Sequence, residues 1–290
     1  MKKISSENNG VYKTLKKLAF KKYRDRLGLY AVEGENLVKE ALCHGIKIKN
    51  LIFCEGSEQK WKFQKDSFDL LRKHELEFDS ENFPSNDLTE NEKLIISEKE
   101  SPEPVIFSEK LFTNVASTVT SQGVIAIVEK REWRDDSLRY FFNKPGNLLI
   151  MDRLQDPGNI GAIIRTAEAA GYSAVICLKG TSDVYSPKAV RSAAGSLFRM
   201  PVLNIDDVLM LTSLVKKSTK KLIVSDMEGT PYNEANLANE VALVIGNEGR
   251  GCSDYLKKSS DLMVRIPMRG HLESLNASVA AAILMYEAVR

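Results

Sequence analysis

Residues 241–251 read VALVIGNEGRG, and this stretch decides the fold. The unbroken apolar run from Val241 to Ile245 is typical of a strand that is buried on both faces, as in parallel sheets. Three glycines follow within six residues, and glycine permits positive φ angles and a close approach of the backbone to a ligand. The spacing matches neither GxGxxG nor a Walker loop, so nicotinamide dinucleotides and nucleoside triphosphates have no support as ligands. A tight turn is the alternative interpretation.

Similar apolar runs recur through the second half of the chain, at 148–151, 174–178 and 222–224. Helical patterns lie between and after the runs, near 160–170, 187–197, 206–217 and 275–289. Buried strands that alternate with helices predict an α/β domain with a parallel sheet covered on both faces. Ligands of such sheets bind beyond the carboxyl ends of the strands.

The first half has a different rhythm and predicts a smaller α/β/α domain over residues 1–130. A basic amphipathic helix is expected over 11–27, followed by a strand at 30–33, a helix at 35–43 and a strand at 49–54. Further strands are expected at 105–107 and 123–128. A polar stretch at 131–146 ends in Pro145-Gly146 and predicts a helix-bearing linker. The larger domain then occupies 147–290.

Charge separates the two halves more clearly than the formal net charge of +2 suggests. Residues 1–50 contain twelve basic and five acidic residues, a local net charge of 12 − 5 = +7. Such a cluster fits a polyanionic partner, with a solvated helix face as the alternative. The four cysteines show no CxxC spacing, which argues against disulfides and zinc. With no signal peptide and no membrane-length apolar run, we expect a cytoplasmic protein.

Two further loops carry polar residues that packing does not explain. In the first, Asp152 to Thr166, Asn159 is expected to cap a helix that contains Arg165. In the second, Val264 to Ala282, Ser274 is expected to cap the last helix. The simpler readings are that Arg165 pairs with an acid and that Ser274 and Asn276 act only as caps. In the glycine loop, an acid at Glu248 can hold the loop or orient an arginine.

Taken in this order, the three segments resemble the SpoU branch of the SPOUT methyltransferases. The residues that carry the resemblance are Asn159 with Arg165-Thr166 and Gly171, then 245–251, then Ile266-Pro267-Met268 with Gly270 and 274–280. Residues 186–198, SPKAVRSAAGSLF, fit the same pattern. More loosely, residues 15–41 and Gln122-Gly123 are similar to a substrate-binding domain related to a ribosomal protein that binds RNA kink-turns. Ala277 and Ser121 depart from the usual residues of the family.

The resemblance implies a trefoil knot in the second domain and a homodimer with the active site close to the dimer interface. It also implies that S-adenosylmethionine binds in a bent shape, leaves as S-adenosylhomocysteine and needs no metal ion. The residues expected at this cofactor are Gly246, Ile266, Leu275, Ile245, Asn247 and Met268.

Catalysis is assigned by the same resemblance. Arg165 is expected to grip an RNA phosphate and polarise the ribose hydroxyl, because arginine is very hard to deprotonate and is a poor general base. Asn159 is expected to orient the target nucleotide, Glu248 to brace Arg165 or the glycine loop, and Ser274 and Asn276 to position the ribose. The residues expected to contact RNA are Arg191, Lys16, Lys17, Lys21, Lys22, Arg24 and Arg26.

The function implied is 2′-O-methylation of a ribose in structured RNA, with large-subunit ribosomal RNA favoured over transfer RNA. Methylation of a base is a competing reaction on the same fold, against which the Ser274-Leu275-Asn276 segment argues. An RNA-binding protein that has lost catalysis is the alternative from another class.

Overall fold

The computed structural model describes residues 1–57, 104–118, 120–131, 133, 137–237 and 240–290. Residues 58–103 of the predicted first domain lie outside this description. The chain divides into two compact units, Met1–Arg131 and Glu132–Arg290. None of the helices within the described ranges has both the length and the apolar character that a membrane crossing requires.

The first unit is built on a mixed five-stranded sheet. Its elements in chain order are β1 (Lys2–Ile4), α1 (Gly10–Lys17), α2 (Lys21–Leu27), β2 (Leu29–Glu33), α3 (Glu35–Cys43), β3 (Ile48–Cys54), β4 (Val105–Phe107), α4 (Glu109–Thr113) and β5 (Val124–Glu129). The strand order is β1-β4-β3-β5-β2. Strand β5 runs antiparallel to both β2 and β3, whereas β1, β4 and β3 are parallel to one another. Strand β1 was not expected from the sequence.

The single basic helix expected over 11–27 is two helices, α1 and α2, with a break at Leu18-Ala19-Phe20. The break is stabilised by Arg24, which is only 4% exposed. The Arg24 guanidinium donates a 2.6 Å hydrogen bond to the Leu18 carbonyl oxygen, one of the acceptors that the end of α1 leaves without an intrahelical partner. The prediction that Arg24 contacts RNA is therefore wrong, because this side chain supports the helix junction from inside.

A buried carboxylate fastens the loop between α4 and β5 to the end of β2. Glu33 accepts hydrogen bonds from the Ser117 amide at 2.6 Å and from the Ser117 and Thr118 hydroxyls at 2.5 Å. Burial by itself would raise the pKa of Glu33, but these hydrogen bonds outweigh it and hold the pKa below its ordinary value. Close by, the Glu35 amide donates to the Gln122 side-chain oxygen at 2.6 Å.

The second unit is built on a six-stranded parallel sheet. Its elements in chain order are α5 (Ser137–Asn143), β6 (Leu148–Asp152), α6 (Pro157–Ala169), β7 (Ala174–Leu178), α7 (Pro187–Ala193), a 3-10 turn (Ser196–Phe198), β8 (Val202–Ile205), α8 (Val208–Lys217), β9 (Lys221–Pro231), β10 (Val241–Gly246), α9 (Asp254–Ser259), β11 (Leu262–Arg265) and α10 (Ala277–Glu287).

The strand order is β11-β9-β10-β6-β7-β8, and each neighbouring pair is parallel. The predicted α/β class and parallel sheet are therefore confirmed. Strand β8 and helix α9 were not expected, since both are short and carry no long apolar run. The knot implied by the resemblance stays a prediction.

The segment expected to link the domains contributes to the core of the second unit. Phe141 and Phe142 of α5 are buried in it. The Lys220 amine, also buried, donates to the carbonyl oxygens of Lys144 at 2.8 Å and Gly146 at 2.5 Å, and to Glu240 at 2.9 Å. Burying an ammonium group is costly unless it is fully hydrogen bonded, and these acceptors meet that requirement.

Replacing Glu33 by glutamine should destabilise the protein in a pH-dependent way. Because the folded-state pKa is lowered, the ionised carboxylate stabilises the fold at neutral pH, and this stabilisation is lost as the pH falls through the folded-state pKa. At pH 7 the Glu33→Gln variant should lose about 1–3 kcal/mol in urea unfolding, since one amide oxygen cannot accept from all the donors around it.

The difference between Glu33→Gln and the unsubstituted protein should shrink below the ordinary glutamate range. Glu7→Gln is the matched control, because Glu7 is exposed in the same unit. A stability difference that stays constant between pH 7 and pH 3 would contradict the electrostatic role of Glu33.

Candidate active site

Three loops leave the carboxyl-terminal side of the parallel sheet in the second unit. Strands β6 and β10 end level with each other, with Gly246 paired to Asp152. The loop after β6 leads into α6, the loop after β10 holds the three glycines, and the loop after β11 covers 266–276. These are the segments that the sequence singled out, and they lie where parallel sheets bind ligands.

The first loop enters α6 through an aspartate cap and not through the expected Asn159. Asp156 is the N-cap, and its carboxylate accepts a 3.0 Å hydrogen bond from the Asn159 amide. Pro157 occupies the first helical position, where its fixed φ angle suits the helix and its missing N–H costs nothing. Asn159 therefore lies in the first turn, and its side chain is free of capping duty.

The Asn159 side chain joins all three loops. Its amide nitrogen donates to Glu248 of the glycine loop at 3.1 Å. Its amide oxygen accepts from the Asn276 side chain, at the start of α10, at 2.9 Å. A carboxylate can only accept and the Asn276 amide nitrogen can only donate, so the orientation of the Asn159 amide is determined. The structure thus brings three of the predicted catalytic residues into direct contact.

Glu248 braces the first loop. Besides Asn159, it accepts from the backbone amides of Gln155 at 3.1 Å and Asp156 at 3.2 Å. Burial alone would raise the pKa of Glu248, but the hydrogen bonds it accepts hold the pKa below the ordinary value, so the carboxylate is ionised at neutral pH. Among the described residues Arg165 is not one of its partners, so this structure does not support the expected Glu248–Arg165 contact.

The glycine loop is folded tightly on itself. A Cβ atom on Gly246 would lie 2.3 Å from the Cys252 nitrogen, so only glycine allows the chain to return this closely. The Asn247 side-chain oxygen accepts from the amides of Gly249 and Arg250, and its nitrogen donates to the Arg153 carbonyl oxygen at 2.8 Å. The backbone of Asn247 is also engaged, because its N–H donates to the Gly251 carbonyl oxygen at 3.1 Å and its carbonyl oxygen accepts from the Gly251 amide at 2.9 Å. Ile245 is buried in the sheet at 3% exposure.

Arg153 is a site residue that the sequence analysis missed. It is a non-glycine residue with a φ angle of 61°, a conformation that persists only where the surroundings hold it. Its guanidinium donates twice to the buried Asp152 carboxylate and once to the Gly251 carbonyl oxygen. These hydrogen bonds raise the pKa of Arg153, with desolvation by burial opposing them. Arg153 thereby ties the end of β6 to the glycine loop.

The third loop carries backbone groups that are available to a ligand. Within the described part of the chain, no hydrogen bond joins the backbone of residues 266–275 to another backbone group. Ile266, Met268 and Leu275 are half-buried along this loop, whereas Ser274 is exposed. The cap of α10 is Asn276, which accepts from the Ser278 amide at 2.9 Å, so the expectation that Ser274 caps this helix is wrong.

These features fit a bent adenosine ligand. Half-buried apolar side chains can cover a purine face, and unpaired backbone N–H and C=O groups can pair with its polar edge. The residues that would hold the ligand are Ile266, Met268 and Leu275 with the unpaired backbone of the third loop, while the glycine loop, closed on itself by the Asn247–Gly251 bonds, would form the facing wall. In the described ranges no group of histidine, cysteine and carboxylate side chains is arranged to bind a metal ion.

Two of the predicted site arginines lie on α6 and α7. Arg165 is exposed on α6, six residues or about 9 Å of helix beyond Asn159. It makes no hydrogen bond or ion pair with any residue that the structure describes. Arg191 is half-buried on α7. The two helices pack at backbone contact, since a Cβ on Gly161 would lie 2.3 Å from the Ala189 carbonyl oxygen.

A further ion pair, which the sequence did not indicate, joins the same two helices. The Lys188 amine of α7 contacts the Asp156 carboxylate at 2.7 Å. The cations expected to bind RNA through the first unit, Lys16, Lys17, Lys21, Lys22 and Arg26, are exposed on α1 and α2. Lys21 is paired with Asp25 at 2.5 Å.

Comparison with known proteins places both units. Residues 146–286 match the model of the SpoU rRNA Methylase family, and residues 8–126 match that of the MRM3-like substrate binding domain. A 23S rRNA (guanosine(2553)-2′-O)-methyltransferase, RlmP of Bacillus subtilis, is 33% identical over 287 residues, which cover 99% of this chain and 98% of that protein.

Solved structures agree along nearly the whole chain. An AdoMet-bound rRNA methyltransferase from Sinorhizobium meliloti is 26% identical, with a TM-score of 0.77 over 99% of this chain and 96% of its own. The SpoU methyltransferase AviRb from Streptomyces viridochromogenes, in complex with AdoMet, is 25% identical, with a TM-score of 0.73 over 97% of this chain and 98% of its own.

Substituting Glu248 by glutamine should loosen the first loop. One amide oxygen cannot serve Asn159 and two backbone amides together, so the amides of Gln155 and Asp156 should lose a charged acceptor. We expect these two amides to exchange with deuterated solvent roughly tenfold faster or more, measured by residue-resolved hydrogen exchange.

Glu234→Gln is the control, because Glu234 is exposed in the same unit. It should leave exchange at Gln155 and Asp156 unchanged. Equal protection of these amides in the Glu248→Gln variant would show that Glu248 does not hold the loop.

Proposed function

Because this chain belongs to the SpoU family of RNA methyltransferases, we propose that it methylates the ribose 2′-hydroxyl of a nucleotide in large-subunit ribosomal RNA. The observation that carries the proposal is the contact of Asn159 with Glu248 and Asn276, which joins the three loops through one side chain. The full-length relative named for 23S rRNA makes the large-subunit RNA the first substrate to test. Since this relative is bacterial, we propose the cytoplasm as the place of the reaction.

The methyl donor is S-adenosylmethionine. When bound, it supplies a methyl group carried on a positively charged sulfur, and S-adenosylhomocysteine is the leaving group. The protein has two further tasks: to align the ribose hydroxyl and to favour loss of its proton. Alignment falls to Asn159, whose orientation is determined by Glu248 and Asn276, and to Ser274 on the exposed part of the third loop.

Arg165 serves the second task as a cation. Its guanidinium is exposed and unpaired within the described residues, and its planar fork fits a phosphate. Arginine stays protonated in proteins, so Arg165 acts by holding the phosphate and polarising the hydroxyl, while a phosphate oxygen or water takes the proton. We propose that Arg191 on α7 also contacts the RNA.

We also propose that the active protein is a homodimer formed through α10. This helix is apolar on all sides, yet Val279 and Tyr286 are 47% and 53% exposed, with the half-buried Ile283 between them. An apolar stripe at this spacing on a helix surface fits a second helix. We assign a second copy of this chain as the occupant, since the resemblance to the SpoU family implies a homodimer with the active site close to its interface and the stripe starts one turn from Asn276.

Purified protein with S-adenosylmethionine should methylate large-subunit RNA from cells that lack the protein, and mass spectrometry should locate the methyl group on a ribose 2′-oxygen. Arg165→Ala should lower this transfer by about 100-fold or more, because the phosphate loses its bidentate partner. Affinity for S-adenosylmethionine, measured by calorimetry, should be unchanged in this variant.

Arg139→Ala is the matched control, since Arg139 is exposed on α5 in the same unit. Near-normal turnover of Arg165→Ala would refute the role of Arg165. Methylation confined to transfer RNA, or found on a base, would correct the substrate or the acceptor atom. If calorimetry detects binding of neither the methyl donor nor its product, the enzymatic function is refuted and an RNA-binding protein is the alternative.

The dimer has its own test. Tyr286→Glu and Val279→Glu place a carboxylate in the apolar stripe, so both variants should sediment as monomers at micromolar concentration. Leu209→Glu is the control, because Leu209 is 57% exposed on α8, away from the stripe. Dimers that persist in both α10 variants, or a monomeric unsubstituted protein, would exclude this interface.

A further inference from the structure

Phe20 is exposed on the surface of the first unit, at a position where an aromatic side chain does not stabilise the fold. Its side chain is 61% exposed. It is the N-cap residue of α2, where the structure finds no side-chain capping hydrogen bond. Serine, threonine, aspartate or asparagine would stabilise the helix at this position, and phenylalanine cannot. A residue that breaks a local rule without an evident structural gain is a candidate for a role in function.

The backbone that carries Phe20 is held firmly. The Phe20 amide donates to the Lys17 carbonyl oxygen, and the Phe20 carbonyl oxygen accepts from the amides of Tyr23 and Arg24. Beneath it, the buried Arg24 side chain holds the Leu18 carbonyl oxygen at 2.6 Å. Phe20 is therefore presented by a rigid helix junction, which lowers the entropy lost when the ring binds a partner.

Cations lie over the neighbouring ring of Tyr23. Phe20 contacts Tyr23 edge-on, with their ring centroids 6.5 Å apart. The amines of Lys17 and Lys22 lie 5.8 Å and 4.9 Å from the Tyr23 centroid. Asp25 is the one acid in residues 10–27, and it is already paired with Lys21 and Lys130. The junction thus combines one open aromatic face with an excess of positive charge.

We propose that Phe20 stacks on an unpaired base of the RNA substrate, while Lys17, Lys22 and their neighbours on α1 and α2 contact the adjoining phosphates. This inference rests on the proposed RNA substrate and adds the form in which the first unit recognises it. Proteins that bind unpaired RNA use aromatic rings as stacking platforms within a positively charged surface. A surface that read only the shape of a duplex would need the cations but not the exposed ring.

Binding of two RNA probes to the full-length protein tests the proposal. One probe is a single-stranded oligonucleotide that contains 2-aminopurine, and the other is a fully paired duplex of the same length. Phe20→Ala should weaken binding of the single strand by roughly tenfold or more and abolish the quenching of 2-aminopurine. Its affinity for the duplex should be unchanged.

The type of side chain separates stacking from a general apolar contact. Phe20→Tyr and Phe20→Trp should retain affinity and quenching, whereas Phe20→Leu should behave like Phe20→Ala. Leu27→Ala is the matched control, because Leu27 is 42% exposed on the same helix. Lys17→Gln and Lys22→Gln should each reduce the salt dependence of binding by about one unit of slope, and Phe20→Ala should leave the slope unchanged.

Three results would overturn the proposal: unchanged single-strand affinity in Phe20→Ala, full retention of affinity in Phe20→Leu, or equal weakening of duplex and single strand. A fourth contrary result uses polyglutamate as the probe. If Phe20→Ala weakens binding of polyglutamate as much as binding of the single strand, the surface binds acidic chains in general and the proposal is overturned. These measurements need no methyl transfer. If the protein methylates RNA but substitution of Phe20 has no effect on RNA binding, only this inference fails. If Phe20 stacks on a base but no methyl group is transferred, only the proposed function fails.

Discussion

The candidate site depends on the side chain of a single asparagine. Asn159 is short, so the loops that contact it must come close, and its two polar ends accept different partners. Glu248 takes the donor end and Asn276 takes the acceptor end. These partners are 89 and 117 residues away along the chain, so this contact forms only when the tertiary fold has brought the distant loops together. Assembly of the site therefore depends on folding of the second unit.

The charge of Glu248 makes this arrangement specific. An ionised carboxylate cannot donate, so it excludes the flipped orientation of the Asn159 amide, and it also satisfies two backbone amides of the first loop. Arg153 adds a second tie between the same loops from the side of Asp152 and Gly251. The backbone of Arg153 lies in the left-handed region, which is strained for arginine. The hydrogen bonds that its guanidinium donates and the one that its carbonyl oxygen accepts from Asn247 hold it in this conformation.

Features encoded in local sequence patterns were predictable. Strands buried on both faces leave continuous apolar runs, so the parallel sheet could be recognised, and the SpoU family followed from the motifs at its carboxyl end. Features that depend on one side chain meeting a distant group were not. Nothing local indicates that Arg24 stabilises the break in the first basic helix by its hydrogen bond to Leu18. Nor does the local sequence indicate that Glu248 binds the first loop and not the Arg165 side chain. The N-cap of α6 could have been predicted correctly, since proline favours the first helical position and Pro157 therefore indicates Asp156 as the cap.

The missing side chain of Gly161 has a consequence for how RNA is read. Because α6 and α7 touch backbone to backbone there, neither helix can slide or rotate without a steric clash. Arg165 and Arg191 are therefore carried by two helices whose backbones pack directly on each other. A side chain at position 161 would force these helices apart and would change the spacing of the two arginines that we propose for the RNA.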